Sequence, residues 1–218
     1  MNLGVYIPAK NDDIFIADVI KPVLEVFPEV QFIDLGSVDK TVQIAKSMGL
    51  PVNVHEGLDG LAYKKLLNHY SRKHDWVIWI DSDEIFPVEC LHKLKELIKE
   101  GEHGQYKTVR ASWKMIKQEA DGLYVDKKLR MSGHKAFDTK VFNFANPWPY
   151  ESLSPLVEGG LVFREPKIYN GVWCWHAVLM QRSSVMEDDI RRNKRLEKTE
   201  IYNRELEWEK VDKLPWLL

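Results

Sequence analysis

Trp76-Val77-Ile78-Trp79-Ile80-Asp81-Ser82-Asp83-Glu84 passes from a purely apolar run into acid within a single step. Apolar residues in unbroken succession, aromatic or β-branched, predict a strand covered on both faces, since a strand with one wet face alternates. The two aspartates stand where that strand gives way to a loop. A strand end relaxes the strict up-and-down alternation, so both carboxylates can approach one site. Such a pair suits a hard divalent cation that keeps positions open for phosphate oxygens and water. A cation there would stabilise the charge that develops on a departing diphosphate. Taken in isolation, a solvated acidic turn capping a helix near Pro87 accounts for the same residues.

The preceding chain alternates short apolar runs with helical patterns. Strands are expected at Leu3 to Ile7, Val30 to Ile33 and Pro51 to Val54. Helices are expected at Ile14 to Phe27 (apolar at Phe15, Val19, Val23 and Val26, with Pro22 inside), at Thr41 to Met48 closed by Gly49, and at Leu61 to Tyr70. Successive β-then-α units imply an α/β fold with a mainly parallel sheet, right-handed crossovers and flanking helices. Ligands of such sheets lie beyond the carboxyl ends of the strands, where residues 9–13, 34–39 and 81–84 form polar clusters. In the second of these, Asp34 can accept hydrogen bonds from a base or ribose, Gly36 permits close backbone approach, and Ser37 or Asp39 can cap the helix that follows. A plain βα turn is the simpler account of that segment alone.

The second half is less regular. An amphipathic helix is expected from Leu91 to Lys99, with short strands at Lys107 to Trp113, Thr139 to Phe144 and Leu161 to Arg164. A final charged helix, capped by Ser183 or Ser184, is expected to reach about Glu209. Without a repeat or linker, the 218 residues are expected to form one domain, with a regular βα half over 1–90 and an irregular half over 91–218. The formal charge of -2 gives no global basic field. Cys90 and Cys174 follow no metal or disulfide spacing, the chain opens directly into a strand, and no apolar run approaches the ~18 residues of a membrane span. A soluble, cytoplasmic protein is the expectation. Basic clusters at Lys107-Arg110-Lys114-Lys117, Lys127-Lys128-Arg130 and Arg191-Arg192-Lys194-Arg195 favour an anionic acceptor if they flank its cleft.

Taken in order and spacing, Ile7-Pro8-Ala9-Lys10-Asn11-Asp12, Asp34-Leu35-Gly36-Ser37-Val38-Asp39-Lys40-Thr41 with Ile44-Ala45, Asp75-Trp76 and Ile80-Asp81-Ser82-Asp83-Glu84 resemble the nucleotide-binding half of family-2, GT-A-type glycosyltransferases. The likeness spans residues 3 to 87 and is nearest the branch with one Asp before Gly-Ser, which includes bacterial lipopolysaccharide-core sugar transferases. It implies a GT-A, Rossmann-like sheet and a nucleotide-sugar donor, with Pro8, Ala9 and Asp34 lining the base and ribose pocket. Asp81 would approach the ribose or diphosphate, Asp83 would bind Mn2+ or Mg2+, and Lys65 would meet donor phosphate. Leu35, Lys40 and Leu66 depart from the residues usual in that branch and leave the base open. Tyr150-Glu151-Ser152-Leu153 matches the segment that carries an acidic residue facing the acceptor. Glu151 is therefore the candidate general base, with Asp138 as the fallback. His176, in Trp173-Cys174-Trp175-His176, fits the downstream histidine that completes the metal shell in related enzymes, or else is simply hydrogen-bonded on an aromatic strand.

The expected activity is displacement at the anomeric carbon, with inversion as the likeness implies, onto a saccharide, a glycolipid or a modified DNA base. A sugar-phosphate nucleotidyltransferase would open with a glycine-rich phosphate loop, which Pro8-Ala9-Lys10-Asn11 lacks. A non-catalytic nucleotide- or carbohydrate-binding module is the non-enzyme alternative, against which the intact Asp81-Ser82-Asp83 stands.

Overall fold

Side chains of the first strand, β1 (Leu3–Ala9), part to opposite sides of one sheet: Val5 and Ile7 enter one apolar cluster and Tyr6 the other. The two-residue period of a strand requires this. The computed structural model describes residues 1–103, 107–144, 153–155, 167–185 and 207–217, with backbone alone at 130–133, 153–155, 167–170 and 217. The next elements are α1 (Ile16–Val26), β2 (Val30–Asp34), α2 (Thr41–Ser47), β3 (Val52–Val54), α3 (Gly60–Ser71) and β4 (Trp76–Trp79). There follow β5 (Glu84–Ile85), α4 (Val88–His103), β6 (Thr108–Glu119), β7 (Gly122–Asp126), β8 (Arg130–Asp138), β9 (Phe142–Phe144), β10 (Leu153–Pro155), β11 (Lys167–Leu179) and β12 (Trp208–Val211).

The expected α/β sheet is present. Strands β4, β1, β2 and β3 lie side by side and all parallel. Helices α1, α2 and α4 cover one face, through Val19, Ile20, Val23, Ala45, Leu91, Leu94 and Ile98, while α3 covers the other through Leu67 and Tyr70. Burial on both sides explains why the 76–80 run carries no polar residue: Trp76, Ile78 and Ile80 join the first cluster, Val77 and Trp79 the second. Beyond β4 the sheet continues antiparallel through β8, β6, β7 and β12.

The second half shows where local pattern gave way to pairing. β6 runs to Glu119, well past Trp113, because β7 pairs with its last residues, Ile116 to Glu119, where the pairing with β8 has ended. The strand expected from Thr139 is shortened to Phe142–Phe144, since Asp138 Oδ1 accepts from Lys140 N at 2.9 Å and turns the chain. The expected final helix does not reach Glu209: Gln181 to Val185 are not helical, and Trp208–Val211 pairs antiparallel with β7. Residues 186–206, and the strand expected at Leu161 to Arg164, lie outside the described residues.

β11 decides the site. It runs parallel to β6 with two register shifts and antiparallel to β5, which sets His176 opposite Glu84 and Trp175 opposite Ile85. Ala177 N donates to Asp83 O at 2.8 Å. The acidic strand end of the first half and the aromatic strand of the second are thereby stitched together.

Ile78 is fully buried between β1 and β8. Ile78→Ala is expected to lower the unfolding free energy by about 2–5 kcal/mol, read as a lower urea midpoint at unchanged slope.

Candidate functional site

Two loops meet first. After β1 the chain enters the left-handed region at Asn11 (φ 55), and after β2 Gly36 does the same (φ 86). Glycine takes this conformation freely, but at Asn11 it costs energy unless neighbours fix it. Asn11 N donates to Ser37 Oγ at 3.0 Å, and Asn11 Oδ1 accepts from Val38 N at 2.8 Å. The buried Asp34 carboxylate accepts from Gly36 N and Ser37 N at 3.2 Å each. Asp12 N donates to Thr41 Oγ1 at 2.8 Å, joining the β1 loop to the start of α2. Pro8 and Ala9 pair with Ile33 and Asp34, so the three residues expected at the base and ribose lie together.

Asp81, Asp83 and Glu84 follow β4 beside these loops, and each has a counter-cation from the second half. Lys135 of β8 lies 3.0 Å from Asp81 Oδ2 and 2.6 Å from Glu84 Oε1. Burial disfavours its charge, but Asp81 and Glu84 outweigh it and hold Lys135 protonated well above the ordinary lysine range. Glu84 is fully buried; burial pushes its carboxyl up and Lys135 opposes the shift. Glu84 also accepts from Trp113 Nε1 at 2.7 Å and from Asp81 N at 3.3 Å. Trp113 stacks on His176, with ring centroids 4.3 Å apart and planes 22° off parallel. The exposed Asp81 and the buried His176 are thus both oriented through Glu84.

The second cation is Arg182, in the segment after β11. Its Nε and Nη2 lie 2.7 and 2.6 Å from Asp12 Oδ1, Nη2 lies 2.9 Å from Ser82 Oγ, and Nη1 bonds Asp83 Oδ2. Ser82 Oγ donates to Asp12 Oδ2 at 2.6 Å. Burial works against the arginine's charge, but Asp12 and Asp83 outweigh it and keep it charged. Around it, Arg182 O accepts from Ile14 N at 3.0 Å, and Ser183 Oγ donates to Asp39 Oδ2 at 2.7 Å. Ser184 N donates to Asp13 Oδ1 at 2.7 Å, and these serine bonds overcome burial to hold the Asp13 carboxyl below its usual range.

Asp83 Oδ2 lies 3.6 Å from His176 Nε2, and both groups are buried. Among the described residues no three His, Cys, Asp or Glu side chains converge as a metal cage. Asp83 and His176 offer a carboxylate oxygen and an imidazole nitrogen, a donor pair suited to Mn2+. The residues present therefore fit such a group.

The structure gathers Pro8, Ala9, Asp34, Asp81, Asp83 and His176 at one end of the sheet. It does not bring Lys65 or Asp138 to them. Lys65 projects from the exposed side of α3, opposite Leu67 and Tyr70, and lines a surface cavity of about 470 Å3 with Asn68, His69, Arg72 and Lys73. Asp138 pairs with Trp76, at the start of β4, because β8 runs antiparallel to it, and its carboxylate lies 3.3 Å from Lys107 Nζ. Glu151 lies outside the described residues. Sequence reasoning missed the roles of Asp12, Glu84, Trp113, Lys135 and Arg182. Asp12 and Glu84 had a signal, each in a polar cluster at a strand end, whereas Trp113, Lys135 and Arg182 had none.

Residues 4–120 match the family described as glycosyl transferase family 2. The chain is 31% identical over 104 residues to an uncharacterized glycosyltransferase of Rickettsia typhi, covering 48% of this chain and 35% of that protein. A Rickettsia prowazekii glycosyltransferase matches to the same extent. The chain thus spans about a third of the length of these relatives. Among solved structures, glucosyl-3-phosphoglycerate synthase from Mycobacterium tuberculosis, in complex with Mg2+ and uridine-diphosphate, aligns at 24% identity and TM-score 0.42 over 51% of this chain and 43% of that one.

Lys135→Met leaves Glu84 buried without its cation and is expected to cost about 3–5 kcal/mol of stability near neutral pH. The cost should shrink as pH falls, because burial raises the pKa of the orphaned Glu84 and favours its neutral form. Adding Glu84→Gln, which keeps an acceptor for Trp113, should recover most of the loss; urea unfolding of the three proteins at two pH values checks this.

Proposed function

The chain belongs to glycosyl transferase family 2, and we propose that it moves a sugar from a nucleotide-sugar donor to an acceptor hydroxyl, using a divalent cation. The observation that carries this reading is the meeting of Asp12, Asp81, Asp83, His176 and Arg182 beyond the carboxyl ends of β1 and β4. The Asp34 loop at the end of β2 lies alongside. Ligands of open α/β sheets bind at such strand ends.

In this reading Pro8, Ala9 and Asp34 line the base and ribose, with Gly36 allowing the backbone to come close. Asp81, half exposed and held by Lys135, turns toward the ribose or diphosphate. Asp83 and His176 hold Mn2+ or Mg2+, and the cation, when bound, supplies charge stabilisation for the leaving diphosphate. Glu151 takes the proton of the acceptor hydroxyl as that oxygen attacks the anomeric carbon with inversion. Asp138, at the far end of β4 and paired with Lys107, is not a base for that step. Likeness to the lipopolysaccharide-core branch favours a saccharide or glycolipid acceptor over a modified DNA base. Among the described residues no helix is long and apolar enough to cross a membrane.

The test is a thermal-shift screen of nucleoside diphosphates and nucleotide-sugars, with Mn2+ or with chelator. A ligand that binds only the native state adds about 2.7 kcal/mol of stability at a hundredfold excess over its dissociation constant. One nucleotide family is expected to raise Tm in Mn2+ alone, and Asp83→Ala to abolish the rise. A folded wild type that responds to no nucleotide would sink the reading.

A further inference from the structure

Arg182 does something that neither the family likeness nor the expected metal ligands require. Its guanidinium is the cation on Asp83, and it uses the oxygen, Oδ2, that also faces His176. Yet its anchorage lies elsewhere. Nε and Nη2 grip Asp12 Oδ1, Nη2 reaches Ser82, the Arg182 carbonyl accepts from Ile14 N, and the next two residues are fastened through Ser183 Oγ to Asp39 and Ser184 N to Asp13. Nη1 is the nitrogen that bonds Asp83. A guanidinium is a rigid planar fork with donors on separate edges, so Nη1 can exchange Asp83 for another acceptor brought to it while Nε and Nη2 stay on Asp12.

Asp83 Oδ2 cannot serve a divalent cation and Nη1 in full at once, because two positive charges would share one oxygen in a buried place where repulsion is poorly screened. We propose that Arg182 is a placeholder cation and donor-binding residue. Without metal it neutralises Asp83. When a divalent cation takes Asp83, Arg182 keeps Asp12 and leaves Nη1 to receive an anionic phosphate oxygen of the donor. This rests on the site being a nucleotide-sugar site, as proposed above. A charge-assisted bond from Nη1 to phosphate replaces the one given up to Asp83. Asp12 and Ser82 are the fixed frame of the exchange. Arg182 then opposes metal entry to the empty site and favours the nucleotide once metal is present.

The signature is a pair of affinities that move in opposite directions. Arg182→Met is expected to bind Mn2+ alone about tenfold more tightly than wild type, followed by electron paramagnetic resonance of the free ion. At saturating Mn2+ it should bind UDP, GDP or CDP, whichever the wild type accepts, about tenfold more weakly by calorimetry. Arg182→Lys, which keeps a cation beside Asp12 but lacks the fork, should move both affinities the same way by smaller factors, and it carries the test if Arg182→Met does not fold. Any other pattern, with both affinities falling or neither moving, makes Arg182 a structural ion pair and overturns the inference. A wild type that binds neither Mn2+ nor any of the three nucleotides overturns the donor-site reading itself, and the inference with it.

Discussion

Asp12, Asp81, Asp83 and Glu84 crowd the ends of two adjacent parallel strands, and three of the four are almost wholly buried. Carboxylates so close cannot all stay ionised unless cations stand among them. Lys135 answers for Asp81 and Glu84, and Arg182 for Asp12 and Asp83. Both cations come from the second half of the chain. The first half therefore supplies a sheet whose acidic edge is completed only when β8 and β11 are in place.

That dependence explains the irregular topology past β4. β8 pairs antiparallel with β4, and its buried lysine reaches Asp81 and Glu84 beyond the end of that strand. β11 passes between β5 and β6 with register shifts on either side of its Trp173 to His176 stretch, and such irregularities re-aim side chains near sites. Glu84 then links the two sides: through Lys135 it holds Asp81, and through Trp113 it holds the plane of His176. Cys174, fully buried below them, is held as an unreactive thiol by burial near Glu84.

The two counter-cations differ in kind. Lys135 projects from a central strand, almost wholly buried, with its carboxylates fixed on neighbouring backbone. Arg182 lies in a non-helical segment after β11, secured by serines to the loops that follow β1 and β2. A site that must receive and release a charged ligand needs one part that stays and one that can rearrange. In the proposed exchange the lysine is the part that stays and the arginine the part that rearranges.

Local pattern made the parallel core legible. The apolar run at 76–80, the helical spacing of Val19 and Val23 and the turn at Asp34-Leu35-Gly36-Ser37 each express a preference fulfilled within a few residues. Asp34, Asp81 and Asp83 stood out for the same reason, as polar residues at strand ends, while His176 was marked by the family resemblance alone. The expected final helix failed at Trp208–Val211 because β7 offered that segment a pairing partner, which no local signal announces. The side of α3 that Lys65 occupies was not legible, because position along a helix does not tell which side its residue faces until the helix is packed. By itself, then, the sequence determined the βαβ core and the acidic strand end. Tertiary structure alone decided how that acid is neutralised, because Asp81 meets a lysine 54 residues away and Asp12 an arginine 170 residues away, and charge pairing over such distances leaves no trace in the neighbouring chain.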